Sequence, residues 1–350
     1  MSNIQKVRAE MIKKGIDTLF ISKQADISWL SGFTGTTAYI LISAGEPVFV
    51  TDGRYETYCR ETLDPVWRLE IVKNYRDFML SAGKMYKKIT VPPDTSVNVW
   101  ALFKKAGADV NVAEDDFLQE IRAVKEPEEL ELLREEYRIA GNGFMRALKE
   151  WKYDRSERAW AASLEYMMKL EGADRPSFDT IVASGARGAL PHGVASDKII
   201  IREDAVTVDF GSARLYNSDY TRVIYGGSDP EILKIINTVR GALEKARDMV
   251  KPGVKCSALD KAARDYISNA GYGDYFSHSL GHGAGTEIHE QPYIKAKNEA
   301  VVTDGMVFTI EPGIYIPGKY GIRLEETVAV HKTGCELLSG VLDRYVYTIE

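Results

Sequence analysis

Cysteine is scarce and follows no pattern. Cys59, Cys256 and Cys335 are odd in number, widely spaced and form no Cys-x-x-Cys pair, which argues against structural disulfides and fits a reducing cytoplasm. No run of about 18 apolar residues occurs, so no transmembrane helix is expected. The opening residues, MSNIQKVRAEMIKKG, carry charge and helical spacing where a secretory leader has an apolar stretch, so export is not expected either. A basic excess is also missing. Lys and Arg number 45 against 51 Asp and Glu, a net charge of −6, which leaves no footprint for nucleic acid or an anionic membrane. What remains is an ordinary globular composition, 45% hydrophobic over 350 residues, enough for one large or two ordinary domains.

The first third alternates helix and strand. Ile4–Lys14 has helical periodicity, Gly15 marks a turn, and Thr18–Ser22 is a short apolar strand. Tyr39–Ser43 and Pro47–Thr51 pattern as a hairpin turning at Ala44-Gly45-Glu46. Ile71–Val72 and Lys88–Val91 add strands. These features predict a small α/β domain over 1–125. Past Lys125, Pro127 with Glu126, Glu128 and Glu129 marks a helix start, and a second domain is expected over 126–350. It begins with helices at Pro127–Trp151 and Ser156–Glu171, followed by strands at Thr180–Ala183, Ala205–Phe210 and Tyr220–Tyr225. Helices at Pro230–Val250 and Ser257–Ala270 precede strands at Met306–Tyr315 and Ile322–Val330. The order helix, helix, strands occurs twice and suggests two similar halves around one sheet system.

Histidine is the other rare residue. Of five, His278, His282 and His289 fall in one stretch, SHSLGHGAGTEIHEQP, Ser277–Pro292. His278 and His282 have the i, i+4 spacing of zinc ligands on a helix. Gly281, Gly283 and Gly285 make a helix costly here, and the HExxH order is missing. An extended or irregular loop presenting imidazoles is expected, for metal binding or acid–base work. Acids stand at strand ends in both halves: Asp209 and Asp219 in VDFGSARLYNSDYTR, Glu311 and Glu325 in TIEPGIYIPGKYGIRLEE. One such acid is an ordinary turn residue. Two strand pairs, each with two acids and beside a His-Gly loop, are not. A carboxylate ending an apolar run such as MVFTI is costly to bury unless paired or metal-bound. Two divalent cations would balance four carboxylates. One imidazole with four carboxylates is an oxygen-rich donor set that suits Mn²⁺ or Co²⁺ at least as well as Zn²⁺. It points to metal-assisted hydrolysis, with a water held between two cations attacking a carbonyl.

The motifs PHG (Pro191–Gly193), DFG…SDYTR (Asp209–Arg222), HSLGHGAGTEIHE (His278–Glu290), EPGIY (Glu311–Tyr315) and GIRLEE (Gly321–Glu326) resemble those of the pita-bread metallopeptidases, within them the Xaa-Pro peptidases. The resemblance spans essentially the whole chain. It implies a small N-terminal α/β domain and a pita-bread catalytic domain whose helix-helix-strand halves are related by a pseudo-twofold. It also implies Asp209, Asp219, His282, Glu311 and Glu325 as ligands of two metals. Asp209 would serve one ion, His282 and Glu311 the other, with Asp219 and Glu325 bridging. His192, His278 and His289 would face substrate without ligating, to orient it, stabilise charge and pass protons. His278 would stabilise the oxyanion, Glu311 would shuttle a proton, and His289 would assist the leaving proline nitrogen. Arg323 and Tyr315 match residues beside the site. Only His331 is left without a role there. Two departures stand out: nine residues separate Asp209 from Asp219 where the family has one more, and Thr286 replaces an apolar residue.

FTGTTAYILIS (Phe33–Ser43) and TDGRY (Thr51–Tyr55) resemble the aminopeptidase P side of the family. The resulting expectation is a cytoplasmic, homodimeric Xaa-Pro aminopeptidase acting on peptides with proline second, without nucleic-acid or membrane partners. The alternatives are an Xaa-Pro dipeptidase, a non-catalytic peptide-binding module, and metal-free hydrolysis of the creatinase type. The last two conflict with five intact ligand positions.

Overall fold

The structure is a computed structural model that describes residues 2–349. The chain divides into two compact units, Met1–Arg122 and Ala123–Glu350.

The first unit is built on a six-stranded mixed sheet. Its strands are β1 (Leu19–Ile21), β2 (Tyr39–Ile42), β3 (Val48–Asp52), β4 (Arg68–Val72), β5 (Lys88–Val91) and β6 (Asp109–Val112), in the order β4-β3-β2-β1-β5-β6. The hairpin read from the sequence is present, with Tyr39 opposite Val50. Successive residues feed opposite faces. Leu19, Ile21, Ile40, Ile42 and Phe49 enter one core, whereas Phe20, Leu41, Val48 and Val50 enter the other. This two-sided burial explains the near-continuous apolar runs of the central strands. β6 has no apolar run because it is an edge strand with Asp109, Asn111 and Val112 exposed.

The second unit opens with the helix Pro127–Lys149. Glu126 and Glu129 form a reciprocal capping box, and Pro127 occupies its first turn. The helix Glu157–Leu170, capped by Ser156, packs against it. Tyr137, Phe144, Trp160 and Leu164 are fully buried at or near this contact, each contributing roughly 1.5–3 kcal/mol of burial. The strands that follow are β7 (Arg175–Pro176), β8 (Ile181–Ser184), β9 (Val206–Phe210), β10 (Ser212–Ala213) and β11 (Tyr220–Ile224). A second helix pair, Pro230–Arg247 and Cys256–Asn269, precedes β12 (Gly281–Gly283), β13 (Glu290–Ile294), β14 (Val307–Ile310), β15 (Gly313–Ile316), β16 (Tyr320–Arg323), β17 (Glu326–His331), β18 (Gly334–Leu337) and β19 (Val346–Tyr347). Two sheets carry most of the unit, ordered β19-β11-β9-β8 and β13-β12-β14-β17-β18. No helix is long and apolar enough to cross a membrane among the described residues.

The structure corrects two expected strands. Met306–Tyr315 is not one strand but β14 and β15, and Ile322–Val330 is β16 and β17. The breaks fall at Glu311-Pro312 and Leu324-Glu325. Between them the chain leaves the five-stranded sheet for the two-stranded β15–β16 pair, and it returns at β17. Pro312 has no N–H for a ladder. Each break frees an acid from the regular alternation of a strand, and those two acids are the ones singled out in the sequence.

Candidate metal centre

Two antiparallel strand pairs aim carboxylates at one point. On β9, Asp209 lies opposite Thr221 of β11. Asp219 precedes Thr221 by two residues, so all three side chains leave the same face of the ladder. Oxygens of Asp209, Asp219 and Glu325 lie within 4.8 Å of one another. His282, on β12, brings Nε2 to 3.1 Å from Glu311 Oε1 and 3.7 Å from Asp219 Oδ2. The short Asp209–Asp219 interval is taken up in the turn, where β10 forms and Ala213 bridges Asn217. Neither acid is turned outward. The structure therefore gathers all five residues proposed as ligands.

Concentrated charge perturbs the acids. Burial, then the neighbouring carboxylates, holds Asp219 and Glu325 well above the usual carboxylate range. Burial also raises Asp209, against the pull of Arg323. Glu311 goes the other way: burial would raise it, but the His282 hydrogen bond and the charges of His282, His278 and Arg323 bring it down to about 2.

The donor set fits divalent cations on an observation independent of charge. Glu325 accepts from Thr221 through Oε2 at 2.9 Å, and Asp209 accepts from Arg323 through Oδ2. Their other oxygens, Glu325 Oε1 and Asp209 Oδ1, are buried with no donor. Orphaned buried carboxylate oxygens are costly, and cations at this point would satisfy both. Chelation should therefore lower thermal stability. One site held at 100 times its Kd adds about 2.7 kcal/mol, and a domain of this size loses about 2–4 °C per kcal/mol. Scanning calorimetry of chelated against Mn²⁺-loaded protein should show a drop of roughly 5–10 °C or more. Identical melting temperatures would remove the metal centre.

The other histidines occupy different positions. His278 is fixed at both ring nitrogens, Nδ1 to Ser279 O at 2.8 Å and Nε2 to Tyr315 Oη at 2.9 Å. Tyr315 Oη in turn accepts from Arg323 Nη1 at 2.9 Å, and Arg323 also donates to Pro191 O at 3.0 Å and to Asp209. Arg323 is thus a buried strut joining the His192 loop, the His278 loop and the acids. His289 sits edge-on to His282 with ring centroids 4.2 Å apart, and its ring nitrogens make no hydrogen bond among the described residues. Burial and the neighbouring His282 lower its pKa. His192 is exposed on the segment after Ala189. His192, His278, His289 and Arg323 border one cleft of ≈ 570 Å³. His331 lies elsewhere, bonded to Glu336 at 3.1 Å.

Some supporting groups were not singled out from the sequence. Thr221 sits inside SDYTR, where its neighbours drew the attention. Thr309 donates to Glu311 at 3.2 Å and accepts from the His282 amide at 3.1 Å. Glu157, fully buried in the first helical turn, accepts from the amides of Ser184 and Ser196 at 2.8 and 3.0 Å, from both serine hydroxyls, and from Arg187 Nε at 2.9 Å. One carboxylate thereby closes both ends of the loop that carries His192. Burial opposes its ionisation, yet those bonds hold its pKa below the usual value. Its only sequence signal is an acid at a helix start, which is ordinary.

Comparison with known proteins gives the family and the fold. Residues 131–332 match the model for metallopeptidase family M24, and residues 3–124 match the creatinase/prolidase N-terminal domain. An Xaa-Pro dipeptidase from Pyrococcus furiosus is 40% identical over 347 residues, covering 96% of this chain and 97% of the relative. The crystal structure of the prolidase from Pyrococcus horikoshii superposes with a TM-score of 0.91 at 36% identity, covering 97% of this chain and 98% of that one. The X-Pro aminopeptidase from Thermotoga maritima gives 0.89 at 36% identity, covering 96% and 98%.

Proposed function

We propose that this chain, which belongs to metallopeptidase family M24 and carries its pita-bread catalytic domain behind a creatinase/prolidase N-terminal domain, hydrolyses the Xaa–Pro bond of dipeptides. The observation that carries the hydrolytic reading is the buried acid cluster with its two donorless oxygens, opening onto a cleft bordered by three histidines that are not among the proposed ligands. The family is one of dinuclear metal enzymes, and Asp209, Asp219, His282, Glu311 and Glu325 are the residues that would hold two ions here. Their oxygen-rich character favours Mn²⁺ or Co²⁺. Bound divalent ions supply Lewis-acid polarisation of a carbonyl and acidification of water.

The chain's own groups supply the rest. His278 is clamped between Ser279 O and Tyr315 Oη, so its ring offers fixed polar character beside the scissile carbonyl. His289, with its ring nitrogens unbonded, is placed to give a proton to the departing nitrogen. Phe178, Ile181, Val194 and Ile288 form an apolar wall of the cleft suited to the proline ring. Proline has no N–H and a fixed φ, so a peptidase that grips substrate through that hydrogen bond handles it poorly. Replacing proline by alanine in the substrate is expected to cost about tenfold in kcat/KM. The cysteine pattern adds a reducing cytoplasm to this reading, and the family resemblance implies a homodimer.

The dipeptidase assignment reverses the order of preference drawn from FTGTT and TDGRY. Its support is the naming of relatives: 38–40% identical Pyrococcus proteins are Xaa-Pro dipeptidases. One observation favours the aminopeptidase reading. Arg323 is the only Arg or Lys among the described residues of the cleft, and its guanidinium is already taken by Asp209, Tyr315 and Pro191. A free proline carboxylate would have to be received by a histidine or a hydroxyl of the cleft. Turnover of Ala-Pro and Ala-Pro-Ala with Mn²⁺ separates the two. A kcat/KM at least about tenfold higher for Ala-Pro, about 1.4 kcal/mol, is the expected result. Equal or better cleavage of Ala-Pro-Ala would make the enzyme an aminopeptidase.

A further inference from the structure

We propose that the buried ion pair Lys125–Glu290 positions the loop bearing His282 and His289, which makes both residues positioning residues for the hydrolysis. The inference rests on the reading of His289 as a group that faces substrate.

Glu290 follows His289 directly and begins β13. Its Oε1 lies 2.6 Å from Lys125 Nζ, with both side chains 1% exposed. The His loop is folded around this carboxylate. Gly283 pairs with Glu290 across the ladder. A Cβ on Gly285 would lie 2.2 Å from Glu290 Oε1, so any other residue there would push that carboxylate aside. The Glu287 amide faces the other oxygen at 3.4 Å. Gly285 is also tied outward, its carbonyl accepting from the amide and side chain of Asn217 at 2.9 Å each, two residues before Asp219.

The cation comes from a fixed frame. The Lys125 amide donates to Gly305 O at 2.8 Å, and Val124 bridges Met306, one residue before β14 and five before Glu311. The ion pair therefore links the approach to Glu311 with the loop of His282 and His289, and Gly285 of that loop is bonded to the turn before Asp219. Apolar residues of similar volume would have served stability at least as well as a fully buried ion pair. What the pair adds is direction: a carboxylate that must meet one ammonium fixes where the backbone of 283–290 can lie. Small displacements of a reacting group are costly, about a hundredfold for 1 Å.

The test uses full-length Lys125→Met, Glu290→Gln and the double variant. The double keeps volume and leaves no unpaired buried charge, so it folds even where a single variant does not. It should retain full metal content, lose about tenfold to a hundredfold in kcat, and change KM by less than about threefold. In zinc-loaded, ¹⁵N-histidine-labelled protein, the His289 ring resonance, assigned through His289→Asn, should move in the double variant while His331 stays. Parental kcat or an unmoved His289 resonance would overturn the proposal. So would turnover that falls only in step with lost metal, or failure of the double variant to fold, since either would assign the pair to folding alone. The resonance is read whether or not an Xaa-Pro peptide is cleaved, so failure of the substrate reading is seen separately in the parent enzyme.

Discussion

Glu325→Ala is expected to abolish hydrolysis, with turnover falling at least about a thousandfold, equivalent to about 4 kcal/mol of transition-state stabilisation, and with bound metal reduced. Glu325 is the acid that closes the cluster. Its residue is 1% exposed, Oε2 is committed to Thr221, and Oε1 is left without a donor. In the metal-free protein its charge is repelled by Glu311 and Asp209 and disfavoured by burial, so it is held in place for what it binds. The stability consequence has a distinct sign. Removing this carboxylate weakens the metal-loaded protein by loss of a ligand but relieves repulsion in the chelated one. Glu325→Gln should therefore narrow the gap in melting temperature between loaded and chelated forms. Full metal content with normal turnover in Glu325→Ala, measured by elemental analysis and peptide hydrolysis, would dismiss the dinuclear centre.

Asp209 and Glu311 were legible in the sequence because each interrupts a pattern, and Asp219 and Glu325 because they stand at the ends of the strands paired with theirs. A charge at the end of VTV or MVFTI contradicts the apolar run before it, and such contradictions mark sites. The two helix-helix-strand halves were legible because their helices carry start signals and apolar periodicity. The strand breaks at Glu311 and Glu325 were not, since apolar residues continue on both sides and a change of sheet has no local signature. The edge strand Asp109–Val112 was missed because its exposed residues read as loop. Lys125 and Glu290 stand 165 residues apart. Nothing near either position announces the other, and each alone reads as a surface charge. Glu157 was hidden for the same reason. Local sequence reveals groups that violate a pattern, while groups that support them over long separations conform to patterns of their own.

His282→Ala and His289→Ala should separate ligand from acid–base function within one loop, seven residues apart. His282 Nδ1 meets Gly283 O at 3.2 Å, and this contact turns Nε2 toward Glu311 and Asp219. That is the arrangement in which the outer nitrogen is fixed and the inner one can ligate. Its loss should remove metal, and turnover with it. His289 shares the wall at ring-contact distance but reaches none of the carboxylates through a hydrogen bond. His289→Ala should keep the metal and lose about 10²- to 10⁴-fold in kcat, the range for removing a general acid–base group. KM should change little, since the apolar wall that holds proline is untouched. Elemental analysis beside steady-state kinetics reads both outcomes. Equal metal loss in the two variants would place His289 among the ligands. An unchanged kcat in a metal-replete His289→Ala would leave proton delivery to another titratable group of the same cleft, among them His192, His278 and Glu311.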